Sequence, residues 1–263
     1  MRHPQLNSRG ELTHLITTEG LSRVMLTRLL DTAEMFLSQA DAGCEKVSAL
    51  HGKRVLTFDT DHAPLSDIHR LAREADILMV KSSVSGLPYW VAQQVGPRVH
   101  VMNERDGCHA APIDALMDML TIRQVKKDFS NLTVAIVGDI LHSPVARSNI
   151  HALTTLGTAQ VRVVGPLTLL PEGLAQLGVQ AFTEMKQGLG EADVIIMLGF
   201  EPDEMRGAEL PSENEYLQCY GLTAINLACA QSACLVIHRQ ESREVLRLAV
   251  QQAAMSIVAE AKS

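Results

Sequence analysis

The sequence predicts an α/β protein of two lobes, each a parallel sheet flanked by helices. Three observations carry that prediction. Short, mainly apolar runs at 76–80, 99–102, 132–137, 160–164 and 193–197 alternate with segments of helical periodicity, the pattern of a parallel sheet covered by helices. One long helical stretch, 113–127, sits between two such sets and divides the chain into similar halves. The chain is 46% hydrophobic but only 3% aromatic, so Leu, Val, Ile, Ala and Met fill a substantial core.

The first element is a helix over 19–39, where Leu21, Met25, Leu29, Ala33 and Phe36 recur at helical spacing and Thr18 or Ser22 caps the start. A strand follows at 53–58, then a polar stretch, 59–67. A short helix at 68–74 leads to the strand at 76–80, a helix at 87–95 to the strand at 99–102. Pro112 opens the long helix in the first turn, where its missing N–H costs nothing. Beyond it, the strand at 132–137 ends at Gly138-Asp139, and the helix at 145–156 is stopped by Gly157. Strands at 160–164, 179–182 and 193–197 complete the second set, and a final helix spans 243–261. The expected domains are 1–127, 128–240 and a C-terminal helix, 241–263, that packs back on the first lobe. Ligands of such folds bind outside the carboxyl ends of the strands, so the loops after 58, 80, 102, 138 and 197 are where chemistry is expected.

Composition excludes several function classes. A net charge of −7 disfavours nucleic acid and anionic membrane as partners, because both require a basic face. No apolar run approaches the roughly 20 residues of a membrane span, and residues 1–10 lack the apolar core of a signal peptide. Five cysteines at irregular spacing, none in a CxxC pair, read as reduced thiols, so a cytoplasmic protein without structural zinc is expected.

Four segments carry a resemblance to a known family. VAIVGDILHSPVARSNIH at 134–151 resembles the opening of the aspartate domain of bacterial aspartate carbamoyltransferases. LITTEGLS at 15–22, SGLPY at 85–89 and ALMDMLTIR at 115–123 resemble the same enzymes in collinear order along almost the whole chain. The resemblance implies a carbamoyl-phosphate-type lobe, an aspartate-type Rossmann-like lobe and a homotrimer with active sites shared between neighbours. It also implies catalysis by positioning and cationic stabilisation of a small dianion, with no metal or cofactor.

The residues that should do this are missing. Where the family has its Ser-Thr-Arg-Thr-Arg phosphate loop, this chain reads Asp59-Thr-Asp-His-Ala-Pro and passes directly to 68–80, so the first lobe is expected to be shortened. The family's next Arg is Lys81, and its His-Pro-Thr-Gln motif is Ala111-Pro-Ile-Asp114. Pro144 replaces the Arg of the aspartate domain, Gly199-Phe-Glu201 replaces Arg-x-Gln, and 237–242 stands in for the late His-Pro-Gly-Pro loop. Cations have given way to Asp59, Asp61, Asp114 and Glu201, a lining that repels two dianionic substrates.

Three functions remain in view. The first is a non-catalytic binding or assembly paralogue, a homotrimer or a mixed oligomer with a genuine carbamoyltransferase. The second is an enzyme of specialised metabolism with new chemistry in the remodelled cleft. Its candidate catalytic residues are His62, Cys108, His109 and Asp114, and its candidate ligand-binding residues are Lys81, Asp114, His142 and Glu201. Within it, Asp61 and His62 with His69 are read as an acid–base or metal seed, or simply as a polar connection. Cys108-His109 is read as a nucleophile pair or as small loop residues. The third is residual carbamoyl transfer in pyrimidine biosynthesis. Arg147 and His151, one turn apart, are read as packing or interface residues.

Overall fold

The computed structural model describes residues 5–41, 50–199, 212–238 and 243–261. It divides into two compact units, Met1–Leu120 with Arg243–Ser263, and Thr121–Ser242.

The first unit holds helix α1 (Arg23–Asp41), strand β1 (Val55–Asp59), helix α2 (Ile68–Glu74), strand β2 (Ile77–Ser82), helix α3 (Leu87–Gln94) and strand β3 (His100–Asp106). Helix α4 (Pro112–Lys126) crosses the boundary between the units, and α9 (Glu244–Glu260) returns to the first, packing on α1. The sheet order is β1-β2-β3, all parallel. Phe58, Ile68, Leu78, Val80, Val91 and Val101 form one core between this sheet and helices α2 and α3. Helix α1 begins four residues later than its periodicity suggests. Leu21 N–H donates to the Thr18 carbonyl and Gly20 has a φ of 74°, so a turn occupies 18–21. Ser22 is then the cap, its hydroxyl accepting from Met25 N–H at 3.2 Å. Strand β3 outruns its apolar stretch because Asn103 and Asp106, both 0% exposed, are buried polar residues that hydrophobicity does not mark.

The second unit contains β4 (Thr133–Val137), α5 (Pro144–Leu156), β5 (Gln160–Val164), β6 (Val179–Phe182), α6 (Met185–Leu189), β7 (Val194–Met197), α7 (Glu213–Tyr220), α8 (Ala224–Leu227) and β8 (Leu235–His238). Its five strands run parallel in the order β6-β5-β4-β7-β8. The chain builds outward from β4 on one side and then returns to its other side at β7, a topological switch point. Pro144 sits in the first turn of α5, Ser143 caps it through Ala146 N–H, and Gly157 closes it at a φ of 84°. Strand β8 has no counterpart among the strands that the sequence predicts. The short helices α6 to α8 are too brief to show a period.

Candidate functional site

At the carboxyl ends of β1, β2 and β3 the strand register brings Asp59 beside Lys81, and Lys81 beside Arg105. An irregularity between Val80 and Lys81 shifts the register, so Ser82 then faces Asp106. Lys81 Nζ lies 3.2 Å from Asp59 Oδ2, and His62 Nδ1 lies 3.3 Å from the same oxygen. Asp61 N–H donates to Asp59 Oδ1 at 3.0 Å. That backbone bond first, helped by Lys81 and His62, holds the Asp59 carboxyl below its usual range, although desolvation pulls the other way. Lys81 and Asp59 thus form an internal pair on a half-exposed rim.

Asp106 organises the next layer. Its carboxylate is fully buried and accepts from Gly86 N–H at 2.6 Å, Asn103 Nδ2 at 2.6 Å, Ala110 N–H at 3.1 Å and His109 Nδ1 at 2.9 Å. A carboxylate acceptor places the proton on Nδ1 of His109 and makes Nε2 the nitrogen that exchanges protons. Gly107 has a φ of 45°, and a Cβ there would come 2.6 Å from Ser85 Oγ, so this turn requires glycine. Cys108 N–H donates to that same Ser85 hydroxyl at 3.2 Å.

Asp114 lies in the first turn of α4 and is ion-paired there. Its carboxylate lies 2.5 Å from Arg247 Nη2 on α9, and one turn on, Asp118 lies 2.6 Å from Arg243 Nη1. Arg247 also faces Glu104 at 3.6 Å. The pairing order, 114 with 247 and 118 with 243, makes α4 and α9 antiparallel here. These acids are therefore matched by cations, and the acidic excess expected from the sequence is smaller where it can be seen.

In the second unit, β4 ends at Gly138 and Asp139. Asp139 is 4% exposed, and its carboxylate accepts from His142 N–H at 3.0 Å and His142 Nδ1 at 2.9 Å. Gly138 adopts a φ of 135°, with Leu198 Cβ 2.8 Å and the Tyr216 hydroxyl 3.3 Å from where a Cβ would stand. Burial, then Asp139, push the Tyr216 phenol up to about 12, so it stays protonated. This cluster lies at the switch point of the sheet.

The two units share a device that the sequence reading missed. Asp59-x-x-His62, Asp106-x-x-His109 and Asp139-x-x-His142 each place an imidazole on the carboxylate three residues earlier, at the ends of β1, β3 and β4. The signal was present as a repeated Asp-x-x-His spacing directly after a strand. The structure does not bring His69 to His62: His62 follows the carboxyl end of β1, while His69 lines a cavity with Arg54, Asp76 and Val99, which precede the three strands. Among the described residues no group of three or more His, Cys, Asp or Glu side chains could hold a metal ion. Arg147 and His151 line a small cavity of about 150 Å³ on α5. Glu201 lies outside the described residues. No helix among the described residues is long and apolar enough to cross a membrane.

Solved structures with the same architecture include carbamoyltransferases. Aspartate transcarbamoylase from Trypanosoma cruzi, in complex with N-(phosphonacetyl)-L-aspartic acid, matches with a TM-score of 0.79 at 16% identity, over 98% of each chain. The same enzyme with carbamoyl phosphate matches at 0.75 and 17% identity, over 99% of this chain and 100% of that one. Ornithine carbamoyltransferase from Gloeobacter violaceus matches at 0.74 and 20% identity, over 94% of this chain and 98% of the other. No family model matches the chain. At these identities the likeness establishes the fold.

Proposed function

We propose that this chain is an aspartate carbamoyltransferase-like protein that no longer transfers carbamoyl groups and works by binding or assembly, as a trimer of its own copies or mixed with a genuine carbamoyltransferase. The observation that carries the reading is the Lys81–Asp59 pair at 3.2 Å. Carbamoyl phosphate brings about two negative charges, and its transfer needs several convergent cationic donors, each worth about 2.7–4 kcal/mol in barrier height. Lys81 is the residue that stands where the resemblance expects an Arg, and its charge is already met by a carboxylate 17% exposed. The neighbouring imidazoles, His62 and His109, are likewise held by Asp59 and Asp106. Pro144, which has no donor, stands where the resemblance expects the aspartate-domain Arg.

The test is formation of carbamoyl aspartate by the purified chain, alone and with an active homologue, together with the mass of the co-expressed oligomer. No product from the chain alone and a mixed oligomer on co-expression are expected. Turnover by the chain alone, at the roughly 1–1000 per second usual for enzymes, would end the proposal.

A second reading rests on His109. A fully buried carboxylate that fixes an imidazole through Nδ1 is the arrangement by which a histidine is oriented for proton transfer. New acid–base chemistry at the end of β3, with Cys108 adjacent, is therefore the alternative function. It predicts that a small-molecule ligand of this rim protects His109 from ethoxycarbonylation by diethyl pyrocarbonate; failure of every ligand that binds the protein to do so rejects it.

A further inference from the structure

We infer that the first unit carries a binding site for a small molecule bearing a phosphoryl or diphosphoryl group, at the amino ends of β1, β2 and β3. A cavity of about 500 Å³ opens there between the last turns of α2 and α3. That volume falls within the range of small-molecule sites. Its walls carry Arg54, Arg73 and Arg98 with His69, against one carboxylate, Asp76. Three guanidiniums facing one carboxylate leave a local excess of positive charge in a chain whose net charge is −7.

Two of these three guanidiniums have no side-chain partner among the described residues. Elsewhere in this unit Arg28, Arg70, Arg243 and Arg247 each face a carboxylate. Arg73 and Arg98 form no ion pair or hydrogen bond with the described residues, and neither does His69. Arg73 lies in the last turn of α2, where a cation offsets the helix dipole. That account does not extend to Arg98, which belongs to the turn after α3, or to Arg54, which precedes β1. Both are set on ordered backbone. Val99 N–H donates to the Gly96 carbonyl at 3.0 Å, closing a turn with Pro97 at its second position. Arg54 donates its backbone N–H to Asp76 Oδ2 at 2.9 Å and holds its Nε 3.5 Å from the same oxygen. The wall is thus built from guanidiniums, whose planar forks match the oxygens of a phosphoryl group. Val99 and Pro97 add an apolar surface beside them. The site lies at the opposite end of the sheet from Lys81 and His109, so it does not depend on the function proposed above.

The experiment is calorimetric titration of the full-length chain with pyrophosphate and, separately, with adenosine diphosphate, which presents the same two phosphoryl groups. Binding by either is expected, weakening with added salt, and the tighter of the two identifies the source of the group. Arg73→Gln and Arg98→Gln, both at exposed positions, should each weaken that binding by about tenfold or more without moving the thermal midpoint. Arg70→Gln, on the same helix but paired with Asp67, is the control for general charge and should leave binding within about twofold. The inference is overturned if neither compound binds at low salt, or if Arg70→Gln weakens binding as much as Arg98→Gln.

Discussion

Replacing Arg243 with methionine removes the guanidinium that faces Asp118. The carboxylate is 0% exposed and its partner side chain only 14%, with 2.6 Å between them. Removing one member of such a buried pair strands the other in a poorly solvated site, at a cost of about 3–5 kcal/mol. Asp118 keeps other interactions in the variant, which pulls the figure toward the lower end. For a chain of this size 1 kcal/mol corresponds to about 2–4 °C, so the midpoint of the first unit should fall by roughly 6–20 °C. Differential scanning calorimetry of the full chain measures this. The double variant with Asp118→Asn separates a stranded charge from lost packing, because neutralising the acid should recover about half of the loss or more. A fall under about 1 kcal/mol for Arg243→Met, the value of an exposed pair, would refute the assignment of this bridge as a buried anchor of α9.

Four further outcomes are expected. His14 is held at about 4, against an ordinary 6.5, by burial first and by its neighbour His100 second. A depressed histidine binds protons more readily once unfolded, so its stabilisation is complete above about pH 6.5 and is lost as pH falls toward 4. At about 1.36 kcal/mol per pH unit the loss is bounded near 3 kcal/mol, and about 2 is expected because the ring is partly exposed; urea midpoints across that range should flatten in His14→Gln. Gly138→Ala should destabilise the second unit by about 2–4 kcal/mol, since it adds a Cβ 2.8 Å from Leu198 Cβ on a left-handed backbone. Lys81→Ala should change stability by no more than about 1 kcal/mol, its side chain being 48% exposed, and denaturant unfolding checks it. Asp106→Ala should cost far more, about 3 kcal/mol or above, because it leaves Gly86, Asn103 and Ala110 without their common acceptor, and the same unfolding series reads the difference.

What the sequence disclosed follows from where its information is local. Strands Thr133–Val137 and Val194–Met197 match their apolar runs to within one residue, because a strand covered on both faces writes itself as a continuous apolar run. The end of α5 was equally plain, since Gly157 acts within its own turn. Strand β3 was cut short because its end is made of Asn103 to Asp106, polar groups buried only through one another and through residues 16, 86 and 110. The ion pair of Asp114 is hidden in the sequence because α4 alone does not reveal Arg247, 133 positions later. The three Asp-x-x-His turns lay in plain view, but their meaning depends on each aspartate ending a strand with its carboxylate turned inward. Arg73 and Arg98 carry no mark in the sequence, because only the fold places them around one opening.

The first unit is made from both ends of the chain. Leu15 N–H donates to the Val101 carbonyl and Asn103 N–H to the Leu15 carbonyl, so the early segment seals the outer edge of β3, while α1 waits for α9. During synthesis the residues of 121–242 leave the ribosome as one unbroken stretch before α9 exists, and they can close first. The opening segment can pair with β3 early, but the face of α1 that α9 covers stays bare until α9 has been made. Truncation at either end therefore strikes the same unit, and a fragment lacking α9 should sediment with chaperones rather than as a free particle.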